Sequence, residues 1–451
     1  MACLPARQSV WAGAGRRREA GWMSGPGSKN KMSRRALLKA APVLAVAPYV
    51  LAASAPRRGA STTPPSDRVT AAIIGCGRSG VNWIENYYRL RQFQIVSVCD
   101  VDESRREHVR SRIERRESGT KSVRDFREAL ADESIDAVVI ATPDHWHAVM
   151  ACEAARANKD IYCESPISLT VREARQIAQV SGRYGRIFQA AMGHRYYSSY
   201  RRGCDLVRGG ALGKIQKIHV PLGSPSQYCM LGASSSPCPQ GFDWDLWLGP
   251  APPAPYHPNR CLSTYDGWRS YREYSGGSLV GYGAGSLDLV QWVLNADTTG
   301  PVEFVPPRQE GDKSIPLTIR YADGTTVVGS RGPHEGTAEF VGENGSLAFG
   351  VGDRGFTTWP DSLAGGPKAQ GPEKRKISED AITDFRDCVR TRSRPLADAE
   401  SACRSVTVAH LACIAWWTGR TIKWDPAKEE IIGDAYAARL LDRPKRMPWR
   451  C

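Results

Sequence analysis

Between residues 69 and 192, short apolar runs alternate with longer stretches whose apolar positions recur every three or four residues. VTAAIIG, IVSVCD, DAVVIAT, DIYCE and RIFQAAM read as buried strands, and segments such as TVREARQIAQVSGRYG read as amphipathic helices between them. Strands that alternate with helices predict an α/β unit, a doubly wound parallel sheet covered on both faces. The pattern changes after Met192. A helix near 196–209 leads to the strand KIQKIHVPL, and IPLTIRYADGTTVVGS and TAEFVGENGSLAF carry DG and NG turns between strand-like runs, as hairpins do. The second half thus predicts an α/β domain on an open mixed, largely antiparallel sheet, with two helices around 378–391 and 399–418.

PRRGASTTPPSD, residues 56–67, reads as a linker, which puts the first domain at 68–192 and the second at 193–451. Residues 223–275 form a Pro/Gly/aromatic segment too long for a plain connector, and are expected to line a site or bind a partner. Upstream, SRRALLKAAPVLAVAPYVLAASAP places Arg34 and Arg35 before a modest apolar run ending in Ala53, Ser54 and Ala55. That is the layout of a twin-arginine export signal, so residues 1–55 read as a leader and the protein is expected in the periplasm or another extracytoplasmic space. The run is too short and too Pro-interrupted for a stable membrane span. Met32 stands directly before the signal, which leaves open whether residues 1–31 are translated.

Composition narrows the classes further. The chain has 451 residues, 41% hydrophobic and 8% aromatic, an ordinary globular balance. Its formal charge of +14 points first to nucleic acid, but residues 1–60 hold 11 Lys and Arg against one acid, which leaves about +4 for the rest. No nucleic-acid partner is therefore expected. The 13 cysteines include no CxxC pair. Cys76, Cys99, Cys152 and Cys163 fall in apolar strand or helix patterns and read as buried thiols, while Cys229, Cys238 and Cys261 lie in the long loop region and are candidates for pairing after export. His145 and His147 lack an accompanying carboxylate or thiol cluster, so no metal site is predicted.

GCGRSG, residues 75–80, follows the first strand and opens a helical pattern. Gly75 permits the tight turn, Gly77 lets the backbone approach a pyrophosphate, and Gly80 lets the helix pack close, with Cys76, Arg78 and Ser79 completing the turn. Asp100 stands 20 residues after Gly80 at the end of the second strand, where a carboxylate binds the ribose 2′-hydroxyl. This favours NAD, while Arg105 and Arg106 nearby leave NADP open. In ATPDHWHA, Thr142, Pro143 and His147 end a strand where open parallel sheets hold their ligands, and are expected beside the nicotinamide. Asp144 marks a helix start, and His410, at helical spacing with Val406, Leu411 and Ile414, reads as a core histidine. Export of an already folded protein predicts a cofactor that is tightly held.

The succession GCGRSG, VCDVDESR, DAVVIATPDHWHA, DIYCESP, FDWDLWLGPAP, YSGGSLVGYGAGSLDLVQW and WDPAKEE resembles the Gfo/Idh/MocA family of glucose-fructose oxidoreductase, inositol dehydrogenase and relatives, and its exported branch most closely. The resemblance runs from about residue 69 to Trp449 and implies a Rossmann domain followed by an α/β domain whose sheet forms the substrate site and often the oligomer contact. It implies NAD(P)-linked chemistry on a sugar, polyol or related hydroxyl compound, in a homo-oligomer. A minority of such proteins cleave glycosidic bonds through transient oxidation. Similar proteins end the strand at 163 with Glu-Lys-Pro; Glu164 and Pro166, both expected to contact the cofactor, are kept here and Ser165 replaces the lysine. Where they read Asp-Trp-Gly-Ala-His-His-Phe-Asp, this chain reads GYGAGSLD, so Gly281 stands for the aspartate, Gly285 and Ser286 for the histidines, and Asp288 persists.

Oxidising an alcohol needs a base for its proton. His194, Tyr274 and Tyr282 are the candidates for that role, and Arg195, Trp268, Arg269 and Asp288 are candidates to hold the substrate. Trp244, Trp247 and Trp268 could stack on a sugar ring. Three readings stand at this point: an oxidoreductase with a relocated base, an NAD- or sugar-binding module without turnover, and a glycosidase-like relative.

Overall fold

The computed structural model describes residues 68–451 apart from 91–92, 116–117, 230, 232–233, 263–266, 311–312, 331–335, 351–354, 368–377 and 379. The expected leader and linker lie outside the described residues. The first domain is a parallel sheet of β1 (Val69–Ile74), β2 (Phe93–Cys99), β3 (Lys121–Val123), β4 (Ala137–Ile140), β5 (Asp160–Cys163) and β6 (Phe188–Ala190), in the order β3-β2-β1-β4-β5-β6. Five of these strands are the apolar runs read from the sequence. The edge strand β3, KSV, is short and polar and no apolar run announces it. Both faces are buried: Ala72, Ile74, Val138 and Ile140 pack in one core, and Ala71, Ile73, Ala137 and Val139 in another. The strand order reverses between β1 and β4, which opens a crevice at their carboxyl ends.

The second domain carries β7 (Ile215–Pro221), β8 (Glu303–Val305), the separate hairpin of β9 (Arg308–Glu310) and β10 (Lys313–Ile315), β11 (Thr318–Arg320), β12 (Thr326–Ser330), β13 (Gly336–Gly342), β14 (Gly345–Gly350), β15 (Phe356–Trp359), β16 (Ile422–Asp425) and β17 (Glu430–Ile432). Nine strands form one sheet ordered β15-β14-β13-β7-β12-β11-β8-β16-β17. Only β7 and β12 pair in parallel within it, so the sheet is mixed and largely antiparallel. Its inner side chains, among them Ile218, Val220, Phe340 and Phe349, are buried under the helices Ser198–Arg208 and Gly283–Val293.

The helix Ala399–Thr418 joins the two domains. Asp398 caps its start by accepting from the Ser401 N–H, and Gly419 ends it at φ 64°, in the left-handed region where glycine carries no Cβ penalty. Nearly every position between is buried, because one side packs on the helix Val171–Arg183 and another on Gly283–Val293. His410 sits within it as a core histidine, 3.3 Å from the Ser168 hydroxyl, and burial pushes its imidazole down to about 4.

Several expectations are corrected here. Arg195, expected to face substrate, is fully buried: Nε and Nη2 donate to Asp288 at 2.7–3.2 Å, Nη1 and Nη2 to Asp297 at 3.0 and 2.7 Å, and Nη1 also to the Leu396 carbonyl at 3.2 Å. Asp288 is equally buried and takes a further bond from Ser405 Oγ at 2.7 Å, so the pair is internal structure and has no face left for a ligand. Cys152, read as a buried thiol, forms a disulfide with Cys451 across a Cα–Cα distance of 5.4 Å. Cys229, Cys238 and Cys261, read as candidates for pairing, are free thiols.

A buried guanidinium without its counter-charge is strongly destabilising. Asp288→Ala should therefore cost about 3–5 kcal/mol of unfolding free energy in urea titrations, whereas a loss below about 1 kcal/mol would mean that Asp297 alone compensates Arg195.

Candidate functional site

The turn after β1 works through what its glycines omit. Gly75 has φ 98°, donates its N–H to the Cys99 carbonyl at 2.8 Å, and would place a Cβ 2.6 Å from the Ala141 carbonyl. A Cβ on Gly80 would lie 2.0 Å from the Gly75 oxygen, so the helix Arg78–Leu90 packs directly on the turn. Gly77 differs: the nearest atom to a Cβ there is Arg105 Nη1 at 3.8 Å. It leaves open backbone at a helix N-terminus, the setting that accepts a pyrophosphate. Asp100 closes the other side. Its carboxylate accepts from the Cys76 N–H at 2.7 Å and the Asp102 N–H at 2.9 Å, and burial pushes its carboxyl above the ordinary range against those two bonds. The residues present therefore fit a dinucleotide, with Asp100 positioned for a ribose hydroxyl.

These groups line a cleft whose first-domain wall includes Gly75, Gly77, Arg78, Ser79, Asp100, Arg105, Thr142 and Pro143. The facing wall comes from the long segment flagged in the sequence: Phe242, Leu246, Trp247, Cys261, Trp268 and Arg269. That segment is tied across the cleft. Asp243 N–H donates to the Val101 carbonyl at 3.0 Å and Glu103 N–H to the Gly241 carbonyl at 2.9 Å, directly after Asp100. The Trp247 carbonyl takes bonds from Trp146 Nε1 and His145 Nε2, each at 3.0 Å. Arg446 holds the same segment through the Gly249 and Asp245 carbonyls at 2.8 and 2.7 Å, Trp449 packs on Trp146 at 4.8 Å between ring centroids, and Cys451 is bonded to Cys152 in the helix Asp144–Arg156. Residues 446–451 thus strap the cover of the cleft to the first domain.

At the ends of β4 and β5, the His147 ring lies between the Pro166 carbonyl (Nδ1, 2.7 Å) and the Thr142 carbonyl (Nε2, 2.8 Å), holding the two strand-end loops together. His145 is buried and pushed down to about 3, chiefly by that burial, which keeps it neutral. Asp144 is buried and accepts from Ser275 Oγ at 2.8 Å. Glu164 follows β5 beside Ser165 and Pro166. Its side chain has no hydrogen-bond or ion-pair partner among the described residues, and burial raises its carboxyl to about 7 against the opposing charge of Arg269.

The other predicted residues divide. Tyr274 is buried, its ring 4.9 Å from Trp247 and 5.3 Å from His145, and burial pushes its phenol up to about 12, so it packs and does not accept protons. Tyr282 is 65% exposed between the short helix Ser278–Gly281 and Gly283–Val293. His194 stacks on Tyr200 at 5.1 Å with Nδ1 3.3 Å from the Gly285 carbonyl, and burial lowers its affinity for a proton. A Cβ on Gly285 would lie 3.5 Å from His194 Cε1, so this histidine fills the space beside that glycine, while a Cβ on Gly281 would meet nothing within 4 Å. Trp244 and Trp247 stack on each other at 4.9 Å, and Arg269 lies over Trp268 at 4.3 Å, so the tryptophans expected to meet a sugar are engaged in the cleft cover.

A second cleft, whose residues the sequence reading did not single out within the flagged segment, is lined by Ser224, Pro225, Ser226, Gln227, Tyr228, Leu231, Ser270, Tyr271, Gly277 and Ser278. Arg269 lines both clefts. The cluster of serines and the glutamine just after β7 was the available signal. No group of metal-ligating side chains occurs among the described residues, and none of their helices is long and apolar enough to cross a membrane.

Comparison with known proteins agrees with this geometry. Residues 69–192 match the family model described as oxidoreductase family, NAD-binding Rossmann fold, and residues 228–451 match its C-terminal alpha/beta domain. The chain belongs to the Gfo/Idh/MocA oxidoreductase family. Among curated relatives it is 32% identical over 158 residues to glycosyl hydrolase family 109 protein 2 of Shewanella sp. (strain ANA-3), which is 31% of this chain and 35% of that protein. The chain spans less than half the length of the first curated relatives it matches. Among solved structures it is similar in fold to aldose-aldose oxidoreductase from Caulobacter crescentus complexed with glycerol (TM-score 0.57, 17% identity, 79% of this chain and 99% of that one). It is also similar to the WlbA dehydrogenase from Bordetella pertussis in complex with NADH and UDP-GlcNAcA (TM-score 0.56, 17% identity, 79% and 99%).

Two tests follow from the site. Gly77→Ala should leave the thermal midpoint unchanged and weaken NAD binding in calorimetry, because its methyl meets only the ligand's space, whereas Gly80→Ala should destabilise the fold itself; equal melting losses in both would refute this division. Cys451→Ser should lower stability by about 2–4 kcal/mol, and reductant should lower the wild-type midpoint while leaving that of the variant unmoved.

Proposed function

We propose that this chain is an exported oxidoreductase that moves a hydride between NAD and a sugar or polyol carbon, with the nucleotide retained between turnovers. One observation carries the reading: Arg269 lines both the nucleotide cleft and the hydroxyl-rich second cleft, so the two binding spaces are neighbours. Asp100 favours NAD, since a carboxylate repels the 2′-phosphate of NADP. The Cys152–Cys451 disulfide supports an oxidising compartment, in keeping with the twin-arginine pattern. The strap over the cleft supports retention of the nucleotide.

When bound, the nicotinamide supplies hydride exchange. This chain's own work is to orient the hydroxyl compound and take its proton. Ser165, Gly281 and Gly285 cannot act as bases, and of the remaining groups Glu164 has the chemistry for it. It is an unpartnered carboxylate at the end of β5, within electrostatic reach of Arg269, with a proton affinity near neutrality. Burial raises this carboxyl, so its basic form is scarce in acid and grows as pH rises through about 7. Arg269 holds the substrate and favours the ionised form of Glu164. A second reading, glycoside cleavage through transient oxidation, draws on the family 109 relatives. It would show as release of a reducing sugar from a glycoside without accumulation of NADH.

Glu164→Gln should lower sugar-dependent NAD reduction by about 10²–10⁴-fold while nucleotide content stays unchanged. The wild-type rate should climb through an apparent pKa of about 7. An unaltered rate in this variant, with the loss appearing in His194→Ala, would transfer the role to His194.

A further inference from the structure

The second cleft also contains an aromatic ring. Tyr228 is 65% exposed, yet it is held in place. The Arg272 guanidinium lies 5.0 Å from its ring centroid and 3.8 Å from that of Trp417, and Arg272 Nη1 donates to the Tyr228 hydroxyl at 3.2 Å. Trp417 belongs to the buried helix Ala399–Thr418 and donates its Nε1–H to the Ser226 carbonyl at 2.9 Å. Backbone bonds from Gln227 N–H to the Ser270 carbonyl (2.9 Å) and from Arg272 N–H to the Gln227 carbonyl (2.7 Å) fix the strip on which the tyrosine rides. The ring is therefore the outer layer of a stack of tryptophan, arginine and tyrosine anchored in the core.

Beside this ring, the side chains of Ser224, Gln227 and Ser270 line the cleft and make no hydrogen bond among the described residues. A rigid aromatic face next to uncommitted hydroxyl and amide groups matches a pyranose, which has an apolar face and a rim of hydroxyls. Because the tyrosine is already ordered, stacking on it costs little further conformational entropy. Tyr228 lines the second cleft and not the nucleotide cleft.

We infer that Tyr228 is the stacking platform of a distal sugar subsite, and that the substrate is a glycoside of at least two rings, one held by Tyr228, Ser224, Gln227 and Ser270 and the next presented past Arg269 to the nucleotide. The inference rests on the proposed carbohydrate function and goes beyond it by naming the size of the substrate and the residue that reads it.

The test compares full-length wild type, Tyr228→Ala and Tyr228→Trp against a panel of disaccharides and their component monosaccharides, by calorimetric titration and by NAD reduction. Tyr228→Ala is expected to weaken disaccharide binding and raise its KM about tenfold, the effect of losing about 1.4 kcal/mol of stacking. Its kcat should stay unchanged, monosaccharide values should not move, and Tyr228→Trp should restore the wild-type KM. Bound nucleotide and thermal midpoint, equal in all three proteins, exclude misfolding as the cause. Disaccharide binding that depends on Tyr228 without any NAD reduction would support the subsite while refuting the oxidoreductase reading. NAD reduction with no preference for disaccharides and no response to Tyr228→Ala would keep that reading and overturn the subsite. Absence of binding by any sugar, or a change in oligomeric state alone, would overturn it as well.

Discussion

The architecture depends on one buried cation. Arg195 stands just after β6, where the chain passes into the second domain, and finds its counter-charges, Asp288 and Asp297, within that domain, with the Leu396 carbonyl and Ser405 completing the set. A guanidinium taken out of water is tolerable only when its hydrogen-bond donors are matched by acceptors in a fixed geometry. That requirement fixes the chain where it passes from one domain to the next. The cover segment 241–249 is held over the glycine turn by its own backbone bonds, and Arg269 lines both clefts.

Within that frame the reacting corner has an unusual distribution of chemistry. In the proposed reading, Ser165, Gly281 and Gly285 stand at the positions where the family resemblance implies lysine, aspartate and histidine. His194 fills the space beside Gly285 from another element, and Glu164 sits in a place that disfavours its charge, with Arg269 opposing that effect. Burying a carboxylate raises its proton affinity, which suits Glu164 to the proton transfer proposed for it.

Much of this was legible in the sequence, for identifiable reasons. Five strands of the parallel sheet were legible because both faces are buried and the runs are continuously apolar, and Gly75, Gly77, Gly80 and Asp100 were legible because their spacing reflects local backbone geometry. The strand β3 was hidden because it is a polar edge of three residues. Arg195 and Asp288 read as binding groups because charge normally implies exposure, and their burial depends on partners about a hundred residues apart. The partner of Cys152 lies 299 residues away, beyond any local pattern. Trp247 and Trp268 line the first cleft, while Trp244 stacks behind Trp247, and nothing local in the sequence distinguishes a ring packed in a cleft wall from one that meets a sugar.

The claim on which the account turns is that the strapped cleft holds a resident nucleotide. Protein purified without added nucleotide, then denatured so that released small molecules can be weighed by mass spectrometry, tests it directly. The account predicts close to one NAD or NADH per chain. A chain that releases none, and that binds no added NAD when titrated, would contradict it.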